Sequence, residues 1–419
     1  MNVAKTEATT GLRALMTRQR LAGCGRQVLQ VGRVRIQGQQ QTRMSSSNKA
    51  AVISVERTTD FETVLDKSNQ YAQILRRAVI QVTGVDSSEF LQGMQCNHMP
   101  TIDQGGSGML TAFLTPQGRV LADAFVYPKN VGVNISQPSF LVEVDEHVKD
   151  RILKTLQFYR LRSKVMIRDV TEKYDVWSVW GPASASLVFK GETAAAADVW
   201  LADGRAPGMG VRLLLEKKNA PEPSLPAGFE RVAAERYTLR RVLKGVPEGA
   251  GDFAPGLMFP METNLDYMHG VHFNKGCYVG QELTIRTHHR GVVRKRIVPV
   301  LFGQKGDDAS SLAVDLDFAQ SLTPVPQTII PCVVKEDKSQ PPPTRSMRRT
   351  RITPPEKTGS AVFNAGLALM RLELIEQFLT QDPLDQTLRF ETFGADKQRL
   401  TVSPWIPSWW PRNPEPQQQ

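Results

Sequence analysis

The stretch 272–296, HFNKGCYVGQELTIRTHHRGVVRKR, concentrates groups that do chemistry. A thiol, Cys277, sits between Gly276 and Tyr278, a Gln281–Glu282 pair follows, and five of the last eleven residues are Arg or Lys. A thiolate is both a nucleophile and a soft-metal ligand, and Lys275 stands two residues away, where it would favour that form. Gly276 and Gly280 allow a tight turn and a close approach of backbone to a ligand. Just upstream, in PMETNLDYMHGVHFNKGCYVGQE, Glu262, Asp266 and Glu282 lie within 21 residues. A half-buried carboxylate accepts two parallel N–H bonds from a flat amidine-like edge, which is how a protein reads a pterin or guanine ring. Arg286, Arg290, Arg294 and Lys295 would then meet a carboxylate tail. The pattern fits a binding loop for a flat, polar, anionic molecule. Duller alternatives stand beside it: Cys277 as a packed small residue, Glu262 as a turn cap, and the basic comb as a solvated strand edge. The pairs His269/His272 and His288/His289 lack an acid or thiol at ligand spacing, so no stably bound metal is expected.

The elements that must position these residues are partly legible. Ala78–Val82 is a short apolar strand, and Asp86 or Ser87 can cap a helix running through Phe90 and Leu91. The clearest hairpin is GMLTAFLTPQGRVLADAFVYPK, with Thr115–Pro116–Gln117–Gly118 as its turn. SFLVEVD alternates as a strand, EHVKDRILKTLQFYRL has apolar residues at helical spacing, and VMIRDV and YDVWSVWG are strands again. This rhythm between residues 78 and 190 predicts two α/β subdomains of related build. GFERVAAERYTLRRVLKGVP reads as helix until Gly245 and Pro247 stop it. After residue 292 the chain turns β-rich, in RKRIVPVLF and AVFNAGLALMRLEL, and Trp409 and Trp410 are expected to anchor the C-terminal tail.

Charge is unevenly spread. Residues 1–50 hold nine Lys/Arg and one acid, so the body carries a net charge of only +2 out of +10. That near-neutral body does not call for a nucleic-acid partner. The leader is rich in Arg, Ser, Thr and Gln and lacks a central apolar block, which is the composition of a mitochondrial transit peptide. A basic RNA-binding arm is the competing interpretation. No run of 18 apolar residues exists, so no membrane span is expected. Cys24, Cys96, Cys277 and Cys332 are scattered and include no C-x-x-C, which argues against a disulfide framework or a self-contained cluster site. The segment KEDKSQPPPTRSMRRTRITPPEKTG has five prolines and seven basic residues and reads as a solvated insert, or as a docking arm for an acidic partner.

The motif KGCYVGQELTIRT, with NLD and GVHFNKG ahead of it, resembles a family signature. The family is that of the folate-binding iron–sulfur cluster assembly factors related to the glycine-cleavage T-protein (aminomethyltransferase), whose bacterial members are called tRNA-modifying proteins. Supporting blocks are FLQGMQCN, FLTPQGRVLADAFVY, LQFYRLRSKV, LADGRAPGMGVR and ERYTLRRVLKGVPEG, with GLALMRLE later. The resemblance implies an α+β fold: two α/β domains around a folate channel, plus a C-terminal β-barrel. It divides the chain into a transit peptide at 1–48, a folate-binding region at 49–295, a barrel at 296–405 with a Pro/Arg-rich insert at 335–360, and a tail at 406–419. By the same resemblance, Cys277 and Asp123 are the catalytic candidates. Glu262, Asn264, Asp266, Lys275, Gly276, Tyr278, Gly280, Gln281, Glu282 and Arg286 are the candidates for binding tetrahydrofolate. The implied partners are iron–sulfur assembly proteins and [4Fe–4S] client enzymes in the mitochondrial matrix. One departure matters: a single acid, Asp123, follows Ala122 where the T-protein has two in a row, which leaves folate-dependent one-carbon transfer as the alternative function. Further departures are Ile285 in place of a small residue, and Cys96-Asn97-His98 in place of Thr-Asn-Asp. A non-catalytic RNA- or protein-binding module is the third possibility.

Overall fold

Strands β1 (Gln70–Ile74) and β2 (Arg77–Thr83) are separated by two residues yet enter different sheets. The turn between them places Arg76 in the left-handed region at φ 59°. In this computed structural model, residues 65–131, 135–187, 197–218, 222–309, 312–316, 323–324, 329–330, 332–334, 356–381 and 388–411 are described. The expected leader and residues 335–355 of the expected insert lie outside the described residues.

The first sheet has five strands. Beside β2 it contains β3 (Met109–Leu114), β4 (Val120–Asn130), β5 (Ser139–Asp145) and β6 (Met166–Asp169), in the order β3-β4-β5-β2-β6, all antiparallel. Gly118, at φ 76°, turns β3 into β4 as its Pro-x-Gly signal required. Helices α1 (Ser87–Met94) and α2 (Lys149–Tyr159) cover this sheet. Phe90, Leu91, Met94, Ile152 and Leu156 pack on Ile80, Val82, Phe113, Val126 and Val142. Asp86 precedes α1 without capping it, because its carboxylate accepts the backbone N–H of Lys164 instead, at 2.6 Å.

The second sheet has the order β10-β1-β7-β9-β8, adding β7 (Tyr174–Trp180), β8 (Ala197–Ala202), β9 (Val211–Glu216) and β10 (Glu230–Arg231). Only β1–β10 is parallel. Helix α3 spans Ala234–Leu243, shorter than the sequence pattern implied, because residues 230–231 are recruited as β10. A further short helix, α4 (Gly249–Phe253), precedes the long segment that carries the signature motif.

The third sheet has seven strands: β11 (Lys295–Gln304), β12 (Ile329–Ile330), β13 (Cys332–Val334), β14 (Glu356–Val362), β15 (Ala365–Arg371), β16 (Leu388–Phe393) and β17 (Arg399–Pro404). Its order is β12-β14-β15-β11-β17-β16-β13. Val298, Val300, Phe302, Leu400 and Val402 form its buried face, with Trp410 packed against them. Leu372–Glu373–Leu374, expected to continue a strand, instead open an amphipathic helix that runs to Thr380. Trp409 donates its indole N–H to the Lys244 carbonyl at 2.8 Å, so both tryptophans anchor the chain end as expected. Among the described residues no helix is long and apolar enough to cross a membrane.

Candidate functional site

The Cys277 loop is held at both ends while its middle is left open. Lys275 aims its ammonium at the C-terminal end of α1 and donates to the carbonyls of Gln92 (2.7 Å), Gln95 (2.6 Å) and Asn97 (2.6 Å). The Gln92 and Gln95 carbonyls are among those a helix end leaves unsatisfied, and burial lowers the Lys275 pKa to about 8. Lys275 is therefore a strut for the loop, spent on backbone oxygens rather than placed to favour the Cys277 thiolate. Backbone N–H groups of His272 and Val279 add bonds to the carbonyls of Cys96 (3.0 Å) and Gly93 (3.1 Å). At the far end Gly280 lies against the β3–β4 hairpin at φ 80°, where a Cβ would come 2.3 Å from the Thr115 oxygen. The helix Gln281–Arg290 starts directly after it, and Gln281 Oε1 accepts the Tyr278 N–H at 3.2 Å. Tyr278 is buried, whereas Gly276 and Cys277 are exposed. The thiol is free. Glu282, Arg286 and Arg290 are exposed on that helix, while Lys295 and Arg296 of the basic comb open β11, which is paired on both sides rather than at a sheet edge.

The three upstream residues brace the same region. Glu262 accepts the Phe259 N–H at 2.8 Å, a turn-capping role. The Glu262 carbonyl accepts the Ile297 N–H (2.8 Å), and Asn264 Nδ2 donates to the Ile297 carbonyl (2.7 Å). Asp266 takes both prongs of the Arg296 guanidinium, at 2.8 and 2.7 Å, and that guanidinium lies 3.7 Å over the Tyr267 ring. These bonds stitch the turn 259–266 to the start of β11.

Asp123 has entirely different surroundings. It lies in a buried ionic cluster built from both five-stranded sheets and the segment before α4. Arg212 donates to Glu143 (2.9 and 2.5 Å) and to Glu248 (3.0 Å). Arg205 is bonded to Asp203 (2.9 and 2.7 Å), Glu248 (2.7 Å) and the Tyr237 hydroxyl (2.9 Å). Both guanidiniums stack on the Phe125 ring, at 4.9 and 4.2 Å. Arg77 bonds Glu143 at 2.5 Å, and Arg241 bonds Asp252 at 2.7 Å. Burial would raise the pKa of Glu143 and Glu248, but the surrounding arginines more than offset it and hold both below the usual range. Asp123 differs. Burial pushes it up to about 6: Arg77, which stands off at 3.8 Å, and Arg205 do not offset burial and the nearby Glu248 and Asp145 carboxylates. Its Oδ1 accepts the Gly249 N–H at 3.0 Å, while Oδ2 and Arg77 Nη2 are buried without hydrogen-bond partners. Removing one member of such a cluster typically costs about 3–5 kcal/mol, since it strands a buried charge.

A cavity of about 1360 Å³ opens beside this cluster. Arg76, Arg77, Tyr237, Arg241 and Glu248 line one side, and residues 360–363 at the β14–β15 turn line another. Asp123 sits directly behind Gly249 of the wall. None of the ten residues that the sequence assigned to cofactor binding lines this cavity. Asp123 and Cys277, paired as catalytic candidates, are likewise apart in character: one buried in ions, the other exposed on a loop. Sequence reasoning misses the lining arginines and Glu248 as site residues, although Arg205, Arg212, Tyr237, Arg241 and Glu248 all stand in the motif blocks LADGRAPGMGVR and ERYTLRRVLKGVPEG. A guanidinium ahead of the apolar run Leu213–Leu215 was the available signal that a buried partner existed. Among the described residues no group of three His, Cys, Asp or Glu side chains is placed to hold a metal ion.

Comparison with known proteins agrees with this architecture. Residues 74–200 match the GCVT N-terminal domain, and residues 349–412 match the CAF17 C-terminal beta-barrel domain. The crystal structure of glycine cleavage system aminomethyltransferase T from Bartonella henselae superposes with a TM-score of 0.55. It covers 83% of this chain and 88% of its own at 12% identity, which shows a shared fold. A mitochondrial iron–sulfur cluster assembly factor IBA57 homolog from Mycosarcoma maydis is 35% identical over 364 residues, covering 83% of this chain and 87% of the relative. A second, from Neosartorya fischeri, is 37% identical over 331 residues, covering 73% and 70%. Identity at that level along most of both chains places this one: it belongs to the family of mitochondrial iron–sulfur cluster assembly factor IBA57 homologues.

Proposed function

We propose that this chain assists the assembly of [4Fe–4S] clusters on client enzymes in the mitochondrial matrix, and that Cys277 is the group through which it meets the cluster. The observation that carries this is the presentation of the thiol: exposed and free, on a loop pinned by Lys275 at one end and Gly280 at the other. A thiolate is the ligand that iron–sulfur clusters take, and a cluster uses four. The other described free thiol, Cys96, is buried and donates to the Gly270 carbonyl. One exposed thiol supplies one ligand, so the remaining ligands come from an assembly protein that shares the cluster as cargo. In a strain depleted of the protein, [4Fe–4S] enzymes should lose activity while [2Fe–2S] enzymes keep theirs. Equal loss of both classes would contradict the proposal.

The cavity is the proposed site for tetrahydrofolate. Its volume exceeds the roughly 300–1,000 Å³ of ordinary small-molecule sites, and its wall offers cations for a carboxylate tail and acids for a pterin edge. Arg76 and Arg241 would take the tail, and Glu248 the ring. Arg77 Nη2 on that wall and Asp123 Oδ2 behind it face each other at 3.8 Å, and neither has a hydrogen-bond partner in the protein itself. A bound tetrahydrofolate would supply nitrogens able to carry a one-carbon unit. The raised pKa of Asp123 keeps the transferase alternative open, since a carboxyl that titrates near 6 can exchange a proton with a ligand nitrogen. An Asp123→Asn strain separates the two: intact [4Fe–4S] enzymes in that strain favour assembly, and their loss favours transfer.

A further inference from the structure

Next to the Cys277 loop lies a second, smaller recess of about 430 Å³. Its floor and rim include Thr115, Leu121, Arg151, Lys154, Phe158 and Val279. Val279 is two residues past Cys277, so the recess and the thiol share one loop. Leu114, Leu121 and Val279 give the recess its apolar lining, and its aromatic wall is poorly covered. Phe158 is 74% exposed and meets Tyr159 edge-to-face at 5.1 Å, and Leu161, in the turn that follows the helix, is 82% exposed. Leu257, 60% exposed, lies on the other flank of the same hairpin. There Arg119 donates to its carbonyl, and the neighbouring Gly256 faces both Arg151 Nη2 and Thr115. Large apolar side chains left this open around a recess mark a contact surface rather than a core.

Its charge is one-sided. Arg151 and Lys154 are the charged residues lining the recess, and no acid lines it. The adjoining segment adds Arg160, Arg162 and Lys164, all exposed. The contrast with the rest of the molecule is physical: the buried Arg205, Arg212 and Arg241 each pair with a carboxylate, whereas no acid lines the recess beside these rim cations.

We propose that this recess docks a short acidic segment of a partner protein, one that inserts a bulky apolar side chain against Phe158 while its carboxylates meet Arg151 and Lys154. The partner is the protein that brings a cluster to Cys277, and in that respect the proposal rests on the role given to Cys277 above. Rim cations steer an acidic partner and fix its register, while the buried anchor holds it. A segment seated here delivers the partner's own ligands within reach of the thiol. A concave recess with two rim cations suits a peptide better than a flat anionic bilayer, whose attraction grows with the number of cations on a face.

The test uses the full chain and a fluorescein-labelled peptide in which Asp and Glu flank a single Phe, read by anisotropy. Binding is expected, and it should weaken as salt is raised. The double variant Arg151→Glu/Lys154→Glu and the single variant Phe158→Ser should each weaken it about tenfold or more, with unchanged circular dichroism. Cys277→Ser should bind as the native chain does. In cells both groove variants should fail to support [4Fe–4S] enzymes with Cys277 intact. No binding, or equal binding by the groove variants, overturns the proposal. Phosphatidylserine vesicles or polyuridylate that bind in place of the peptide, and lose binding in the same variants, overturn it in favour of a membrane or RNA. If the groove variants behave as expected but Cys277→Ser cells keep their enzymes, the docking surface stands and the role of the thiol falls.

Discussion

Gly118 and Gly280 face each other where the signature loop meets the β3–β4 hairpin, and neither has room for a side chain. A Cβ on Gly118 would lie 2.9 Å from the Gly280 oxygen, and one on Gly280 would lie 2.3 Å from the Thr115 oxygen. Both residues also hold positive φ, at 76° and 80°. This contact fixes the far end of the Cys277 loop on a rigid turn. Gly280→Ala is therefore expected to destabilise the fold by roughly 1–3 kcal/mol, through left-handed backbone strain and the clash together. Denaturant unfolding checks this. Stability equal to that of the native chain would mean that the loop is not docked on the hairpin.

The raised pKa of Asp123 has a definite sign in stability. Its ordinary value is 3.8 and its folded value is about 6, so between those limits the folded chain binds a proton that the unfolded chain does not. Stability attributable to this group therefore falls as pH rises from about 4 to 6, by roughly 3 kcal/mol in total. Asp123→Asn removes that slope while leaving an oxygen for the Gly249 N–H. The variant should gain on the native chain as pH is raised through this window, measured as the difference between their unfolding free energies. A pH-independent difference would show that Asp123 does not titrate there.

Folate binding should follow the cavity and not the upstream carboxylates. Tetrahydrofolate is expected to raise the melting temperature of the native chain, because it stabilises only the folded form. Arg76→Gln, at an exposed cavity residue, should reduce that shift. Glu262→Ala should leave the shift intact while costing about 1 kcal/mol of stability, the worth of the lost bond to Phe259 N–H. The reverse pattern would return Glu262 to ring recognition.

What the sequence disclosed depended on how far away each residue's partner lies. The hairpin was legible because Pro116 and Gly118 act within their own turn. The exposure of Cys277 was legible from flanking glycines for the same reason. Lys275 was not, since its three acceptors are 178 to 183 residues away. Arg77, Arg205 and Arg212 were invisible as one cluster because only the packing of two sheets and the segment before α4 brings them to Glu143 and Glu248. The crossing of β1 into the second sheet had no local signal either: Leu75 and Arg76 look like any short turn. Leu372–Leu374 misled because an alternating apolar run continues β15 in register, and only tertiary packing of Ile375 and Phe378 decides for helix. The transit-peptide composition of the leader concerns residues outside those described, and it agrees with the mitochondrial relatives.

The central claim is that the Cys277 thiol is the working contact with the cluster, and one substitution tests it most directly. Cys277→Ser keeps size and polarity but removes soft-metal ligation. The side chain is exposed, so the fold should be unaffected, and the folate-induced rise in melting temperature should match the native chain. Cys96→Ser, at a buried thiol, should cost only a small loss of packing. The measurement is [4Fe–4S] enzyme activity in depleted cells complemented with each variant. Failure of Cys277→Ser beside rescue by Cys96→Ser is the expected result; full rescue by Cys277→Ser would contradict the account and leave the function to the cavity alone.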